Sequence, residues 1–352
     1  MNLCRLPLLL LPLLFIVAPA FGGEPEADWQ AVLALEAGPA DAAAIHSREE
    51  ARAITLAHLA RQEASLRAYL QAHPTGPHTV DSQLRLARLY ATRSDFSGNP
   101  GDFAMALRIL DEAFQTAPVE RRADFDFARI TLSMRRITGP GGPGDPECER
   151  LVAQVAAFQA RYPGERRIGA LLAEVATLFD AQPRRKEDLL RQALAAARTP
   201  ELRARVGDDL HRLSLLGTPI SVRGVSAEGK DVDLTQYKGR VVLLYFFAGW
   251  SAPSMAGLDT LEALRKPFAG QPVETLGVSL DTSREALQTV LRERGIAWPV
   301  LLEEKGWKSP LVRGLSINAL PVFWVIDRRG VLRSLNARVD GETLVRQLLL
   351  EK

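Results

Sequence analysis

Seven consecutive apolar residues, Val241-Val-Leu-Leu-Tyr-Phe-Phe247, are followed by Ala-Gly and then by Trp250-Ser251-Ala252-Pro253-Ser254. A short, unbroken run of β-branched, aliphatic and aromatic residues reads as a strand buried on both faces, which requires a sheet covered by helices on either side. Serine is a preferred helix N-cap, because its oxygen accepts a hydrogen bond from a first-turn N–H that has no partner inside the helix. Pro253 suits the first turn, where no donor is needed. The segment therefore reads as strand, tight turn and helix, the helix continuing to about Lys266. This unit commits the part of the chain around it to an α/β fold.

The surrounding pattern agrees from Gly217 onward. Pro219–Val225 and Asp231–Leu234 read as a hairpin around Glu228-Gly229. After Val241–Phe247 come a helix from Ser254, a strand over Glu274–Leu280 and a helix from about Ser283 to Arg294. Strands Val322–Asp327 and Val331–Asn336 then pair through Arg328-Arg-Gly330, and a last helix runs from about Gly341 to Leu350. Alternating strands and helices with apolar central strands imply a mixed sheet with both faces covered.

Upstream, residues 21–215 read as helical. Ser47-Arg-Glu-Glu50 is a capping box opening a helix to about His73, with Leu56, Leu59, Leu66 and Leu70 on one face. Asp81–Ala91 and Asp102–Ala117 read as a helix pair with Thr92–Gly101 as the loop between them. The pair resembles a tetratricopeptide repeat, although that loop is longer than the repeat normally has. A related pattern returns in Ala156–Pro163 and Leu172–Phe179, beyond a Gly- and Pro-rich linker at Thr138–Pro146. Two such units suggest a short α-solenoid, an architecture that presents concave surfaces to partner proteins. Simple helical packing with no partner is an equal reading. His73 and His78 flank a Pro-Thr-Gly-Pro turn with Asp81 nearby, which is too few donors for a metal site. They read as two exposed loop histidines, and no metal is expected.

The chain has 352 residues, 47% hydrophobic and 24% charged, with a net charge of +2. That length accommodates two domains, and the charge is too near zero to imply nucleic acid or an acidic membrane as partner, so no nucleic acid is expected. Arg5, the apolar run Leu6–Val17 and Ala18-Pro-Ala20 have the form of a secretory signal over residues 1–20 with cleavage after Ala20. The protein is thus expected to be exported, periplasmic or secreted. Membrane contact is expected only if that segment stays uncleaved. Of the two cysteines, Cys4 precedes the apolar run, leaving Cys148 as the single thiol after cleavage. One cysteine makes no internal disulfide, and Cys148 reads as a small, partly buried side chain.

Residues 217–352 resemble the TlpA/ResA-like branch of the thioredoxin superfamily, near the redoxin/AhpC-TSA group. The resemblance is carried by Asp233–Phe247, Leu276-Gly-Val-Ser-Leu-Asp281, Gly306-Trp307, Pro310–Ile317 and Leu320-Pro-Val-Phe-Trp-Val-Ile-Asp327. It implies a thioredoxin-like fold in which Ser251 stands at the attacking-cysteine position and Ser254 at the resolving one. Pro321 would be the cis-proline facing them. An acidic residue and a proline common in the family fall here at Gly257 and Asp259.

Disulfide exchange needs a thiolate that attacks sulfur and a second sulfur that resolves the mixed disulfide. A serine hydroxyl stays protonated and forms no S–S product. The expectation is an exported, redox-inactive, thioredoxin-like protein that binds a protein or extended peptide or serves as a scaffold, with no cofactor. The peptide groove would be formed by Trp250, Pro253, Ala319, Leu320 and Pro321, with Met255 or Trp324 as side chains able to fill it. The alternative is a thiol-disulfide oxidoreductase or antioxidant protein of the TlpA/redoxin family, acting through Cys148 or a partner's sulfur. A serine hydrolase at Ser251 or Ser254 is remote, because all five histidines lie far upstream.

Overall fold

The computed structural model describes residues 21–38, 47–137 and 145–351. The expected signal segment and most of the expected Gly/Pro-rich linker lie outside the described residues. The chain forms two compact units, one of residues 21–38, 47–137 and 149–165, the other of residues 145–148 and 166–351. The sequence pattern changes from helix to strand near 217, whereas the compact division falls at 166.

The first unit is helical: α1 (Pro25–Ala34), α2 (Arg48–Ala72), α3 (Thr79–Ser97), α4 (Pro100–Thr116), α5 (Arg122–Arg136) and most of α6 (Pro146–Arg161). Ser47 caps α2, its Oγ accepting the Glu50 N–H at 3.0 Å. Leu59 and Leu66 are buried with Tyr69, and Leu70 packs against the same core. The expected loop over Thr92–Gly101 is not a loop. Helix α3 continues to Ser97 and turns only at Gly98, in the left-handed conformation, and Asn99, which caps α4. Arg93 ties this stretch down by bonding Asp102 at 2.6 Å and pairing with Glu63.

The histidine reading also changes. His73 is not an exposed loop residue: its Nε2 lies 2.7 Å from Asp28 and its ring 4.9 Å from that of Tyr69. His78 stacks on Trp29 at 4.6 Å and meets Glu26 at 2.9 Å. The two rings thus hold α1 by separate carboxylates and do not converge on one point. The pairings hold the Asp28 and Glu26 carboxyls below their usual range. Cys148 is fully buried rather than partly so, and is in no disulfide.

The second unit begins with α7 (Ile168–Ala176), α8 (Pro183–Ala196) and α9 (Pro200–Ser214). A small antiparallel pair follows, β1 (Arg223–Val225) with β2 (Asp231–Asp233). The main sheet has five strands in the order β5-β4-β3-β6-β7, formed by β3 (Val241–Phe247), β4 (Val273–Ser279), β5 (Val300–Leu302), β6 (Val322–Ile326) and β7 (Leu332–Ser334). Strands β3, β4 and β5 are parallel, while β6 is antiparallel to β3 and β7 to β6. Helices α10 (Ala252–Arg265), α11 (Arg284–Glu293), α12 (Pro310–Gly314) and α13 (Ala337–Leu350) complete it.

Every residue of β3 is buried, as its apolar run demands. Leu244, Phe246 and Trp324 pack on one face of the sheet, and Tyr245, Phe247 and Phe323 on the other. The sequence reading missed β5, a three-residue strand hidden after Pro299, and α12. It also started α13 too late, because the cap is Asn336, whose Oδ1 accepts the Arg338 N–H at 3.3 Å.

Candidate functional site

Ser251 is the N-cap of α10. Its Oγ accepts the backbone N–H of Ser254 at 3.3 Å, and Pro253 occupies the first turn. The loop leading to it is held by Asp281, at the C-terminal end of β4. Its buried carboxylate accepts the Gly249 N–H at 3.0 and 3.1 Å and the Ser279 hydroxyl at 2.7 Å. Trp250, the next residue, projects to 61% exposure.

Ser254 is 0% exposed and its Oγ has no hydrogen-bond partner among the described residues. Its carbonyl accepts a 2.6 Å hydrogen bond from the Tyr245 hydroxyl on β3. Burial pushes the Tyr245 hydroxyl well above the usual tyrosine range, with nearby Arg338 opposing it weakly. The phenol therefore stays neutral. Gly257, one turn further along α10, faces the same hydroxyl: a Cβ there would come within 2.5 Å of Tyr245 Oη and 3.1 Å of Phe323. The space that a side chain at 257 would use is filled by tyrosine.

The Leu320–Pro321 bond is cis. Pro321 Cγ would lie 3.3 Å from a Cβ at Gly257, so the turn and the first turns of α10 are in contact range. Ala319 and Pro321 line a cleft of about 440 Å³, and Trp250 and Pro253 are exposed at the start of α10. Leu320 packs partly against the core. Met255 also packs partly into the core, and Trp324 is 1% exposed within it.

The cleft is walled by α8 and α9, by the Asn318–Pro321 turn, by β6 and by the start of α13. Helix α9 reaches the turn directly. Arg212 donates to the Ser316 carbonyl and to Asn318 Oδ1 at 2.9 Å, and His211 Nδ1 lies 2.9 Å from Ser316 Oγ. One histidine, although distant in sequence, thus reaches the sheet-bearing part of the chain. It meets Ser316 rather than Ser251 or Ser254. Among the described residues no carboxylate orients its other ring nitrogen, which a Ser–His–acid arrangement needs.

Neither serine has an adjacent base, so the arrangement supplies no hydroxyl nucleophile. No thiol stands at the α10 start. What the geometry offers is a neutral, packed helix start beside a charged cleft. Tyr245, Asp281, Arg212 and Arg338 escaped the sequence reading. For Asp281, a carboxylate directly after an apolar strand was the available signal.

Residues 206–335 match the model of the AhpC/TSA family. The chain is 26% identical over 121 residues to the thiol-disulfide oxidoreductase ResA of Bacillus cereus, covering 34% of this chain and 66% of that one. The match thus spans just under two thirds of the length of that relative. Among solved structures, a thiol:disulfide interchange protein of the thioredoxin family from Chlorobium tepidum aligns at 24% identity, covering 38% of this chain and 96% of that one, with a TM-score of 0.32. A secreted thiol-disulfide isomerase from Corynebacterium glutamicum aligns at 21% identity over 38% of this chain and 86% of that one, with a TM-score of 0.33. Strand order, the cis-proline and the family match agree with one another. The C-terminal part of this chain is thus a thioredoxin-like domain whose family match, over residues 206–335, is to AhpC/TSA.

Proposed function

We propose that this protein is an exported, redox-inactive relative of the TlpA/ResA-type thiol-disulfide oxidoreductases that acts by binding a protein or an extended peptide. The observation that carries the reading is the start of α10, where both sulfur positions are serine and both serines are built into the helix cap and core. The only cysteine among the described residues, Cys148, is buried in α6. Burial disfavours the thiolate, the form that attacks sulfur. The cis-proline turn keeps backbone groups that can pair with an extended chain, a mode that needs no sulfur. The secretory form of residues 1–20 supports export.

The alternative is an oxidoreductase working through Cys148, favoured by the name of the ResA relative. Incubation of the natural protein with oxidised glutathione, followed by intact mass analysis, separates the two. The proposed function predicts no adduct under native conditions. An adduct on Cys148 that forms while the protein is folded and is released by a dithiol substrate would overturn it.

A further inference from the structure

The first described residues fold back onto the helical unit. Phe21 is partly buried against the core of that unit, its ring edge-on to that of Tyr69 at 6.3 Å. The Gly22 N–H donates to Asp28 Oδ2 at 3.0 Å, and Gly22 takes a φ of +147°, a conformation that glycine reaches without steric cost. The Asp28 side chain is 14% exposed. Its carboxyl is held below the usual range first by His73, then by the Gly22 N–H and more weakly by the Gly23 N–H, against the opposing effect of burial.

One carboxylate thus collects successive main-chain nitrogens, those of residues 22 and 23. The next nitrogen in the series belongs to Phe21, which follows the small-x-small run Ala18-Pro-Ala20. In the uncut chain it is a neutral amide. Hydrolysis of the Ala20–Phe21 bond by a peptidase adds the oxygen of water to the Ala20 carbonyl carbon and returns the electron pair of the broken bond to nitrogen. The Phe21 nitrogen is then an amine, protonated at neutral pH. An ammonium makes a stronger, charge-assisted bond to a carboxylate than an amide does. The other charges nearby are already matched. Glu26 is bound by His78 at 2.9 Å and by Gln30 at 2.8 Å, and Arg85, which lies over the Trp29 ring, is paired with Glu36. Burial holds the Tyr69 hydroxyl above the usual tyrosine range, so that ring is neutral.

We propose that the chain is cut between Ala20 and Phe21 and that the new amino terminus is built into the helical unit, its ammonium bound by Asp28 and its ring packed on Tyr69. The proposal rests on the export reading above and goes beyond it by giving the cut a structural role, the completion of α1 docking.

The test begins with the full chain produced with its own leader in a bacterial host that has a periplasm. Intact mass and amino-terminal sequencing of the exported protein should give Phe21 as the first residue. Export with a cut elsewhere would overturn the proposal and leave the export reading standing, whereas an uncut chain kept inside the cell would overturn both. The second measurement follows acylation of the α-amino group by acetic anhydride as a function of pH, read by peptide mass spectrometry. It compares the chain beginning at Phe21 with one beginning at Ala20, whose amine is one residue further from Asp28. At neutral pH the Phe21 amine is expected to react roughly tenfold more slowly, its half-maximal rate displaced to higher pH, because a neighbouring carboxylate favours the ammonium. Asp28→Asn should return it to the rate of the Ala20 chain. Burial alone displaces the profile to lower pH, since it disfavours the charged form. Equal profiles for the two chains, or a Phe21 amine displaced to lower pH, would overturn the bound terminus.

Discussion

The two sides of the Pro321 turn have taken opposite courses. On one side, the start of α10 is closed: Ser251 spends its oxygen on a cap, Ser254 is buried, and the Tyr245 hydroxyl fills the space beside Gly257. On the other side lies a cleft of about 440 Å³ lined by Lys186, Arg212, Arg333 and Arg338, and among the described residues Arg338 has no ion-pair partner. The difference teaches that a helix start with serine at both sulfur positions need not leave a vacant site. Here the start of α10 is packed as ordinary core, and the open space lies next to it.

The comparison is broken most severely by adding a side chain at Gly257. Gly257→Glu should cost about 3 kcal/mol in urea unfolding, since overpacking a rigid core is costly and the first atom already collides with Tyr245. The same residue placed in the cleft by Ala319→Glu should change stability by less than about 0.5 kcal/mol, because Ala319 is exposed. Equal tolerance at the two positions would erase the distinction between a closed and an open side. A Gly257→Ala change should cost less in a Tyr245→Phe background than alone, because the colliding atom is the hydroxyl.

Smaller effects sharpen the closed side. Tyr245→Phe should cost about 1 kcal/mol through the lost bond to the Ser254 carbonyl. Ser251→Ala should also cost about 1 kcal/mol, the usual worth of an N-cap. Ser254→Ala should be close to neutral or slightly stabilising, since its hydroxyl is buried without a partner. Thermal or urea unfolding of the three variants checks the order.

The smallest effect is one of pH. Burial raises the Tyr245 pKa in the folded state. The unfolded chain therefore loses that proton first, so the contribution is present below about pH 10 and is lost as pH rises through the folded value. Unfolding curves between neutral and strongly alkaline pH should fall less steeply for Tyr245→Phe than for the natural chain. Equal slopes would mean that the phenol is not shielded.

Much of this architecture was legible in the residues. Val241–Phe247 could only be a doubly covered strand, and Ser251-Ala-Pro253 could only open a helix, because the capping chemistry is local. Helix α13 was read late because Asn336 caps by a side-chain geometry that the apolar pattern does not reveal. The polar stretch after Ala91 was read as a loop because its helix is held by tertiary ion pairs from Arg93. The cleft was illegible for a further reason: Lys186, Arg212 and Arg338 lie far apart in the chain and meet only through the packing of α8, α9 and α13 around β6. Tyr245 looked like one more apolar residue of β3, and its role depends on the absence of a side chain twelve positions later, at Gly257.

Under the proposed function, the two serines and not the fold remove thiol-disulfide exchange. The most direct test is insulin-disulfide reduction in the presence of dithiothreitol, comparing the natural protein with Ser251→Cys/Ser254→Cys. The account predicts no turnover above background for the natural chain and measurable turnover for the cysteine version. Turnover by the natural chain itself would contradict it and make Cys148 the residue to replace next.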